Sequence, residues 1–439
     1  MMTPKFLLPF CLILCTSLLA ACAQTKPASP FVTRTTQTKP FVKPDIPPPF
    51  PVRPETALGI KLDDMLETLV REGDVPGLTL LVMEHGKEVY FGKAGFRDMA
   101  AKKPMQRETV GRLYSMTKPI TGVALMQLYE QGKFKLDDPL SKYLPEFKNM
   151  RVFVGQNPDG TLKTEPARHP ITIRDLMRHT AGFSYGFTHT PVDALYVREN
   201  LLSYDQTNAE FTRHLAKLPL LYQPGERFHY SVAVDVQGRL VEVLSGQALG
   251  EYFEAHIFGP LGMNHTGFTV KTEDKAKFAP VYGKGKDGLF VMHDGDKRIP
   301  LGLDVDRPFL TDVAFESGGG GLVSTIDDYA RFANALLAGG SPLLKPETLA
   351  LMHQDQLGNR PNGDLGKGSH FGLDFAIKVL PQAEGDYHVP KGSYYWGGMA
   401  NTMFMIDPEN DRIYVLFTQV MGADRHKIHN LLTEALYGN

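Results

Sequence analysis

The chain is poor in cysteine. Its 439 residues contain only three, Cys11, Cys15 and Cys22, all within the first 22 positions. The rest of the chain therefore has no thiol to form a disulfide, ligate a metal ion or act as a nucleophile. The 14 histidines also show no His-Glu-x-x-His motif and no tight cluster with aspartate. We therefore expect neither a metal ion nor a cofactor.

Charge of one sign is not in excess either. Lys and Arg together number 47 and Asp and Glu 49, which leaves a formal net charge of −2. Nothing in this balance steers the protein towards nucleic acid or an anionic membrane surface. Hydrophobic residues make up 42% of the chain and charged residues 22%, as in a globular protein with a buried core. The function is therefore expected to lie in a site.

The apolar run near the N-terminus is too short for a membrane span. It covers residues 6–19 and is followed by small residues, whereas a transmembrane helix needs about 20 apolar residues. It predicts a signal peptide over residues 1–21. The segment Leu-Ala-Ala-Cys at 19–22 resembles the lipobox of bacterial lipoproteins, which implies a diacylglyceryl group on Cys22. That resemblance also implies a membrane-anchored protein facing the periplasm, with the outer membrane favoured; a plain secretory signal is the alternative.

Proline is concentrated between this signal and the folded body. Nine of the 32 prolines lie between Pro27 and Pro54. Such a composition cannot bury a core and favours an extended, semi-rigid chain. We predict a tether over residues 22–56, ahead of one folded domain over residues 57–439. A leader without a role is the alternative.

Strand patterns lie at both ends of the folded body, and the middle is mostly helical. The pattern predicts an α+β fold in which one antiparallel sheet is built from both chain ends and flanked by terminal helices. A mainly helical region, about 115–310, is inserted between the two halves of the sheet. The predicted elements are a helix over 60–72, a hairpin with strands 78–84 and 88–91, a second hairpin with strands 402–406 and 412–419, and a final helix over 423–436.

A serine and a lysine stand three residues apart at the start of a buried helix. The hexapeptide 114–119 (YSMTKP) opens a segment, 120–129, that is apolar on almost all faces. The spacing places Ser115 and Lys118 on one helix face. Lysine there can take the proton of the serine hydroxyl, and the N–H of Ser115 can stabilise an oxyanion. The alternative is that Ser115 caps a core helix and Lys118 is an exposed charge.

Two later motifs favour the catalytic interpretation. Residues 223–231 (QPGERFHYS) form a turn before a helix that ends near Gly246, and residues 394–399 (YYWGGM) lie on a strand before the last hairpin. The order Ser-x-x-Lys, Tyr-Ser and aromatic-Gly-Gly resembles the serine β-lactamase and penicillin-binding-protein superfamily. Within it, the chain is most similar to class C β-lactamases and family VIII carboxylesterases. The resemblance covers about residues 60–436.

The resemblance implies a β-lactamase-like fold and a role for each motif. Ser115 would be the acylated nucleophile, Lys118 its base partner and Tyr230 the phenol that transfers protons. The backbone N–H groups of Ser115 and Met399 would form the oxyanion hole. Core positions for the tyrosine and for the tryptophan of the third motif are the alternatives. The residues expected to bind substrate are Tyr114, Trp396, Gly397 and Gly398.

The chain departs from the β-lactamase pattern at two motifs. Val232 stands where the second motif has asparagine, and Trp396-Gly397-Gly398 replaces Lys-Thr-Gly. Val232 cannot hydrogen-bond an acylamino side chain, and the third motif lacks the cation and hydroxyl that bind a substrate carboxylate in the family. An indole wall suits apolar groups instead. We expect a carboxylesterase for small neutral esters. The alternatives are a β-lactamase or D-Ala-D-Ala carboxypeptidase and, from another class, a non-catalytic binding lipoprotein.

Two glycine-containing segments resemble other active-site motifs. Residues 182–186 (GFSYG) match Gly-x-Ser-x-Gly, but the preceding segment predicts a helix where a nucleophile elbow needs a strand. Residues 318–321 are glycines without the Gly-Lys-Ser/Thr ending of a phosphate loop. We predict a tight turn beside the cleft for the second segment and no nucleophile in the first. His179 and His229 are expected to be structural.

Overall fold

The computed structural model describes residues 56–363, 365–366, 368–380 and 389–438. The predicted signal peptide, the lipidation site Cys22 and nearly all of the predicted tether lie outside these residues. Within the described part of the chain, no helix has the length and apolar character needed to cross a bilayer.

The described strands form one large sheet and three small ones. The large sheet has the strand order β10-β11-β12-β13-β14-β1-β2-β3, and the small ones are β15-β7-β8, β4-β9 and β5-β6. The strands are β1 (Gly77–Glu84), β2 (Lys87–Asp98), β3 (Lys103–Pro104), β4 (Gly111–Arg112), β5 (Arg151–Gln156), β6 (Leu162–Pro166), β7 (Tyr282–Gly285), β8 (Gly288–Val291), β9 (Val323–Ser324), β10 (Ser369–Phe371), β11 (Ala376–Lys378), β12 (Tyr394–Gly397), β13 (Met403–Asp407), β14 (Arg412–Thr418) and β15 (Val420–Met421).

Helices lie mostly between these strands in sequence. A π-helical turn, Glu254–Phe258, joins α7 to α8, and short 3₁₀ turns occur elsewhere. The helices are α1 (Ala57–Arg71), α2 (Thr117–Glu130), α3 (Ile173–Met177), α4 (Pro191–Arg198), α5 (Asn208–Leu215), α6 (Ala233–Ser245), α7 (Leu249–Phe253), α8 (Gly259–Leu261), α9 (Arg307–Leu310), α10 (Ile326–Leu337), α11 (Pro346–Met352) and α12 (Arg425–Tyr437). The 3₁₀ turns are Tyr114–Met116, Leu140–Lys142, Pro145–Phe147, Thr272–Lys277 and Pro300–Gly302.

Both ends of the domain build the large sheet, as the sequence predicts. Strand β1 pairs antiparallel with β14, from Leu78 opposite Thr418 to Glu84 opposite Arg412. Every pair of neighbours in this sheet is antiparallel. The predicted α+β architecture is therefore confirmed.

Helices cover both faces of the large sheet. On one face α1 packs with α12, and Leu78, Leu80 and Val82 of β1 belong to the same apolar cluster. On the other face α10 contacts β1, β13 and β14, and Leu81 belongs to the larger core. Successive side chains of a strand point to opposite faces, which explains this division of β1.

The middle of the chain contains more β-structure than the sequence predicts. Strands β5 and β6 form a hairpin within the helical region, and β7 and β8 form a second one that pairs with β15. These strands are short, and their polar and apolar residues do not alternate strongly enough to predict a strand.

The buried helix predicted after Ser115 is α2, and it positions the site. All of its side chains from Thr117 to Met126 are buried. Pro119 lies in the first turn, where a missing N–H costs no helical hydrogen bond. Helix α2 packs against α6, and the turn Tyr114–Met116 contacts β12. The start of α2 therefore lies where the large sheet meets the helical region.

Candidate active site

Ser115 lies in the 3₁₀ turn Tyr114–Met116, directly before α2. Tyr114 has a φ of +45°, which is an unfavourable backbone conformation for a bulky residue. Tyr114 and Met116 are buried, whereas Ser115 between them is partly exposed. The turn therefore presents one hydroxyl to a cavity from an otherwise buried segment.

The structure brings Ser115, Lys118 and Tyr230 together. The Tyr230 hydroxyl donates to Ser115 Oγ over 2.6 Å, and Lys118 Nζ donates to the same oxygen over 3.3 Å. Lys118 is 1% exposed, and its Nζ lies 4.7 Å from the centre of the Tyr230 ring. Tyr230 comes from the loop before α6, so the site joins two segments that are 115 residues apart.

A turn of glycines holds Lys118 from the opposite side. Lys118 Nζ donates to the carbonyl of Gly319 over 2.6 Å. The N–H of Gly319 in turn donates to Asp235 Oδ1 over 3.0 Å, as does the hydroxyl of Ser317 over 2.5 Å. A Cβ on Gly319 would lie 2.4 Å from Asp235 Oδ2, so this close approach requires glycine. The predicted tight turn beside the cleft is confirmed.

Asp235 is a buried acid within this arrangement. It is 1% exposed, and its Oδ2 meets no donor among the described residues. Burial raises the pKa of Asp235 above its usual value, while the charge of Lys118 and the two hydrogen bonds to Oδ1 act in the opposite direction. Hydrogen bonds therefore link Asp235 to Lys118 through the backbone of Gly319.

Tyr185 is a site residue that the sequence reasoning missed. Its ring stacks on Tyr230, with centroids 5.4 Å apart and planes at 23°, and its hydroxyl lies 3.5 Å from Lys118 Nζ. Burial raises the pKa of Tyr185 well above its usual range. The residue belongs to the Gly-x-Ser-x-Gly segment, a motif that assigns a role only to its serine.

The serine of that segment is not placed to act as a nucleophile. Ser184 is fully buried and its hydroxyl donates to Asp193, the carboxylate that caps α4. The segment follows helix α3 rather than a strand. The rejection of a nucleophile elbow is therefore confirmed.

His179 supports Tyr230 from behind. It is fully buried, its ring centroid lies 5.0 Å from that of Tyr230, and its Nδ1 lies 3.3 Å from the hydroxyl and the N–H of Ser231. Burial, helped by the charges of Lys118 and His229, lowers the pKa of His179 well below its usual range. A neutral packing role fits the structural assignment that the sequence predicts.

Strand β12 forms another wall of the site. The rings of Tyr230 and Trp396 lie 5.4 Å apart, and Trp396 Nε1 is buried without an acceptor in the described structure. Gly397 and Met399 line the cavity, but Gly398 does not. A Cβ on Gly398 would lie 2.3 Å from the carbonyl of Leu113, so its place is in packing β12 against the Ser115 turn.

Val232 replaces the asparagine of the second motif with a side chain that belongs to the core. The side chain is fully buried in the core, and its N–H donates to the carbonyl of Ser184. It does not line the cavity. This position therefore offers no group to a substrate.

The cavity in front of Ser115 has a volume of about 760 Å³. The predicted binding residue Tyr114 lines it but is mainly a core residue, since its ring packs edge-on against Phe309 at 6.0 Å. Aromatic side chains dominate the cavity wall: Tyr114, Tyr185, Phe187, Tyr204, Tyr222, Phe228, Tyr230, Phe315 and Trp396.

Within the described structure, no group of three His, Cys, Asp or Glu side chains is arranged to hold a metal ion.

Comparisons with known proteins match most of the folded chain. A family model described as Beta-lactamase matches residues 62–437. Esterase EstB of Burkholderia gladioli is 32% identical over 362 residues, covering 80% of this chain and 88% of the esterase. The structure of EstCE1, a hydrolase with promiscuous acyltransferase activity, matches with a TM-score of 0.72 and 30% identity over 87% of this chain and 98% of EstCE1.

A fourth match shows a shared fold. Simvastatin synthase LovD of Aspergillus terreus has a TM-score of 0.74 at 24% identity, over 87% of this chain and 98% of LovD. The comparisons give no support to a non-catalytic binding lipoprotein. They confirm the resemblance that the three sequence motifs carry, and the chain therefore belongs to the beta-lactamase family, as one of its serine hydrolases.

Proposed function

We propose that this protein is a carboxylesterase that works through an acyl-enzyme on Ser115. The observation that carries the proposal is the contact of Ser115 Oγ with both Tyr230 and Lys118, at 2.6 Å and 3.3 Å. A serine hydroxyl becomes an effective nucleophile when neighbouring groups can take its proton. Relatives that are named esterases and hydrolases support the same reaction class.

In the acylation step, Ser115 Oγ attacks the ester carbonyl and its proton moves to the oxygen of Tyr230. Tyr230 accepts this proton as a phenolate, which the Lys118 ammonium, 4.7 Å from the centre of its ring, stabilises before the transfer. Tyr230 then gives the proton to the departing alcohol. The N–H groups of Ser115 and Met399 stabilise the tetrahedral oxyanion in this proposal.

In the deacylation step, water attacks the acyl carbonyl while the oxygen of Tyr230 takes its proton. The bond between Ser115 Oγ and the acyl carbon then breaks, and Oγ regains a proton from Tyr230. The acid product leaves. One phenol thus serves both half-reactions, first as acid to the alcohol and then as base to water.

We propose substrates whose groups next to the scissile bond are small and uncharged. The wall there is the ring of Trp396 and the backbone of Gly397, and no lysine or threonine occupies the position of a Lys-Thr-Gly motif. An aromatic wall gains most from apolar groups.

The kinetic test compares esters with a β-lactam. We expect the wild-type protein to hydrolyse 4-nitrophenyl butanoate with a kcat/KM far above that for a chromogenic cephalosporin. Ser115→Ala and Lys118→Ala should each abolish ester turnover while keeping the thermal midpoint within a few degrees. Faster cephalosporin hydrolysis would favour the β-lactamase alternative instead.

We also propose that Cys22 carries a lipid that anchors the protein in a membrane facing the periplasm, with the outer membrane favoured. The Leu-Ala-Ala-Cys segment and the proline-rich residues after it support this. Mass spectrometry of the mature N-terminus from bacterial membranes tests it. A diacylglyceryl mass on Cys22 is expected, and cleavage at another position without lipid would contradict it.

A further inference from the structure

Arg227 extends a guanidinium into the cavity wall on the loop that carries Tyr230. It precedes Tyr230 by three residues and both line the same cavity. The guanidinium carbon lies 4.8 Å from the centre of the Tyr222 ring, which places the charged group over that ring. Its Nε is buried and meets no acceptor in the described part of the chain.

Arg227 differs from two other buried arginines of the described chain, which are paired with carboxylates. Arg112 is fully buried and is paired with Asp306, and Arg178 is paired with Asp175 at 2.8 Å. For Arg227 no salt bridge occurs among the described residues. Burying part of a cation without a partner costs free energy, so its position indicates a ligand that supplies the missing charge.

The rest of the described cavity wall has no group that could neutralise Arg227. Neither aspartate nor glutamate is among its described lining residues. The other arginine on the wall, Arg425, already donates to Asn401 Oδ1 over 3.1 Å and to the carbonyl of Gly398. The field in the cavity therefore favours an anionic group near Arg227.

We propose that Arg227 binds a carboxylate carried by the ester substrate at a distance from the scissile bond. The inference rests on the proposed esterase function and narrows it: the substrate has an apolar body against the aromatic wall and a carboxylate at its far end. A planar guanidinium matches a carboxylate with two parallel hydrogen bonds. Half-esters of dicarboxylic acids and esters of hydroxybenzoic acids have this chemistry.

Two matched ester pairs test the proposal on either side of the scissile bond. On the acyl side, mono-4-nitrophenyl succinate is compared with 4-nitrophenyl 4-methylpentanoate, which has nearly the same shape without the charge. Half-esters of glutarate and adipate place the carboxylate farther from the scissile bond. On the alcohol side, 4-(butanoyloxy)benzoate is compared with 4-nitrophenyl butanoate. For each pair the readout is the ratio of kcat/KM for the anionic ester to that for the neutral ester.

In at least one pair, Arg227→Gln should lower this ratio by about tenfold to a hundredfold, the usual effect of losing a charge-assisted hydrogen bond. Neutral-ester turnover should stay within about threefold of wild type, because the ester carbonyl does not need the charge in this proposal. Arg227→Lys should retain part of the ratio. Arg71→Gln, on the exposed end of α1, is the control for net charge and should leave the ratio unchanged.

An unchanged ratio in Arg227→Gln across all pairs, with neutral esters still hydrolysed, would overturn the inference and leave the esterase proposal standing. If neither ester acylates Ser115, the esterase proposal fails and binding decides the inference separately. Calorimetric titration of Ser115→Ala with 4-phenylbutanoate should then show binding that weakens at least tenfold in Ser115→Ala/Arg227→Gln. Equal affinity in the two proteins would overturn it.

Discussion

The amine of Lys118 contacts three oxygens from three separate parts of the chain. They belong to Ser115 at 3.3 Å, Tyr185 at 3.5 Å and Gly319 at 2.6 Å. A carbonyl can only accept, so Gly319 takes one amine hydrogen and leaves the others directed towards the two hydroxyls. Asp235 holds Gly319 in turn. The orientation of Lys118 therefore depends on Asp235, which does not line the cavity.

Tyr230→Phe tests the proton-transfer role at the scale of one atom. The change removes the oxygen 2.6 Å from Ser115 Oγ but keeps the ring that packs on Tyr185, His179 and Trp396. We expect kcat for ester hydrolysis to fall by about 100-fold to 10,000-fold, the usual range for general acid–base catalysis. The thermal midpoint should change little. Steady-state kinetics and differential scanning fluorimetry measure the two effects.

Tyr185→Phe is the matched control for that variant. It also deletes one phenolic oxygen from a stacked ring, but that oxygen contacts Lys118 at 3.5 Å and makes no hydrogen bond with Ser115 in the described structure. We expect a loss of less than about tenfold in kcat, since the direct proton path stays intact. Equal losses in the two variants would contradict the assignment of proton transfer to Tyr230.

At the scale of elements, Gly398 sets how closely β12 approaches the Ser115 turn. A Cβ there would lie 2.3 Å from the backbone oxygen of Leu113 and 2.2 Å from Thr402 Oγ1. We expect Gly398→Ala to lower the free energy of unfolding by about 1–3 kcal/mol and to reduce activity, because the backbone must move. Gly267→Ala is the control, since its nearest contact would be 3.6 Å. Urea titration of both variants measures the difference; equal stability would contradict the packing role.

Helix α12 contributes a pH-dependent contact with the sheet. His429 lies in the helix and its Nε2 is 2.6 Å from the hydroxyl of Tyr414. Burial, followed by the charges of Arg425 and His426, lowers the pKa of His429 from 6.5 to about 3. The unfolded chain therefore binds this proton below about pH 6.5, whereas the folded protein binds it only near pH 3.

The stability that depends on neutral His429 is complete above about pH 6.5 and is lost as the pH falls towards 3. The expected slope is about 1.4 kcal/mol per pH unit for one group. We expect His429→Gln to be less stable at pH 7 by about 1 kcal/mol and to show a flatter slope between pH 6.5 and 3. His85→Gln, at an exposed histidine, should keep the wild-type slope. Urea titrations across this range test it, and an unchanged slope in His429→Gln would contradict it.

At the scale of the whole molecule, local patterns predict the longer elements but miss the short strands. The turn at His85 and Gly86 separates two β-rich runs, so the hairpin β1–β2 is visible in the sequence. Strands β10 and β11 have three residues each, too few for a period to emerge. Two further hairpins, β5–β6 and β7–β8, are not predicted because polar and apolar residues do not alternate clearly in these strands.

The site shows the same division between local and long-range information. Ser115 and Lys118 are found by spacing, and Tyr230 by its motif. Tyr185 is missed because it meets Lys118 across 67 residues of sequence. Arg227 is missed because the absence of a partner is a property of the folded cavity. The missing Lys-Thr-Gly motif predicts small neutral esters, but it gives no information about a cation on another loop.

The central claim, an acyl-enzyme on Ser115, is tested most directly by mass spectrometry of the intact protein. Wild type is quenched in acid within seconds of exposure to 4-nitrophenyl butanoate, or after labelling with a fluorophosphonate, and the modified peptide is then sequenced. We predict one adduct, on Ser115, that is lost in Ser115→Ala. An adduct on another residue, such as Ser184, or no adduct on folded protein that hydrolyses the ester, would contradict the account.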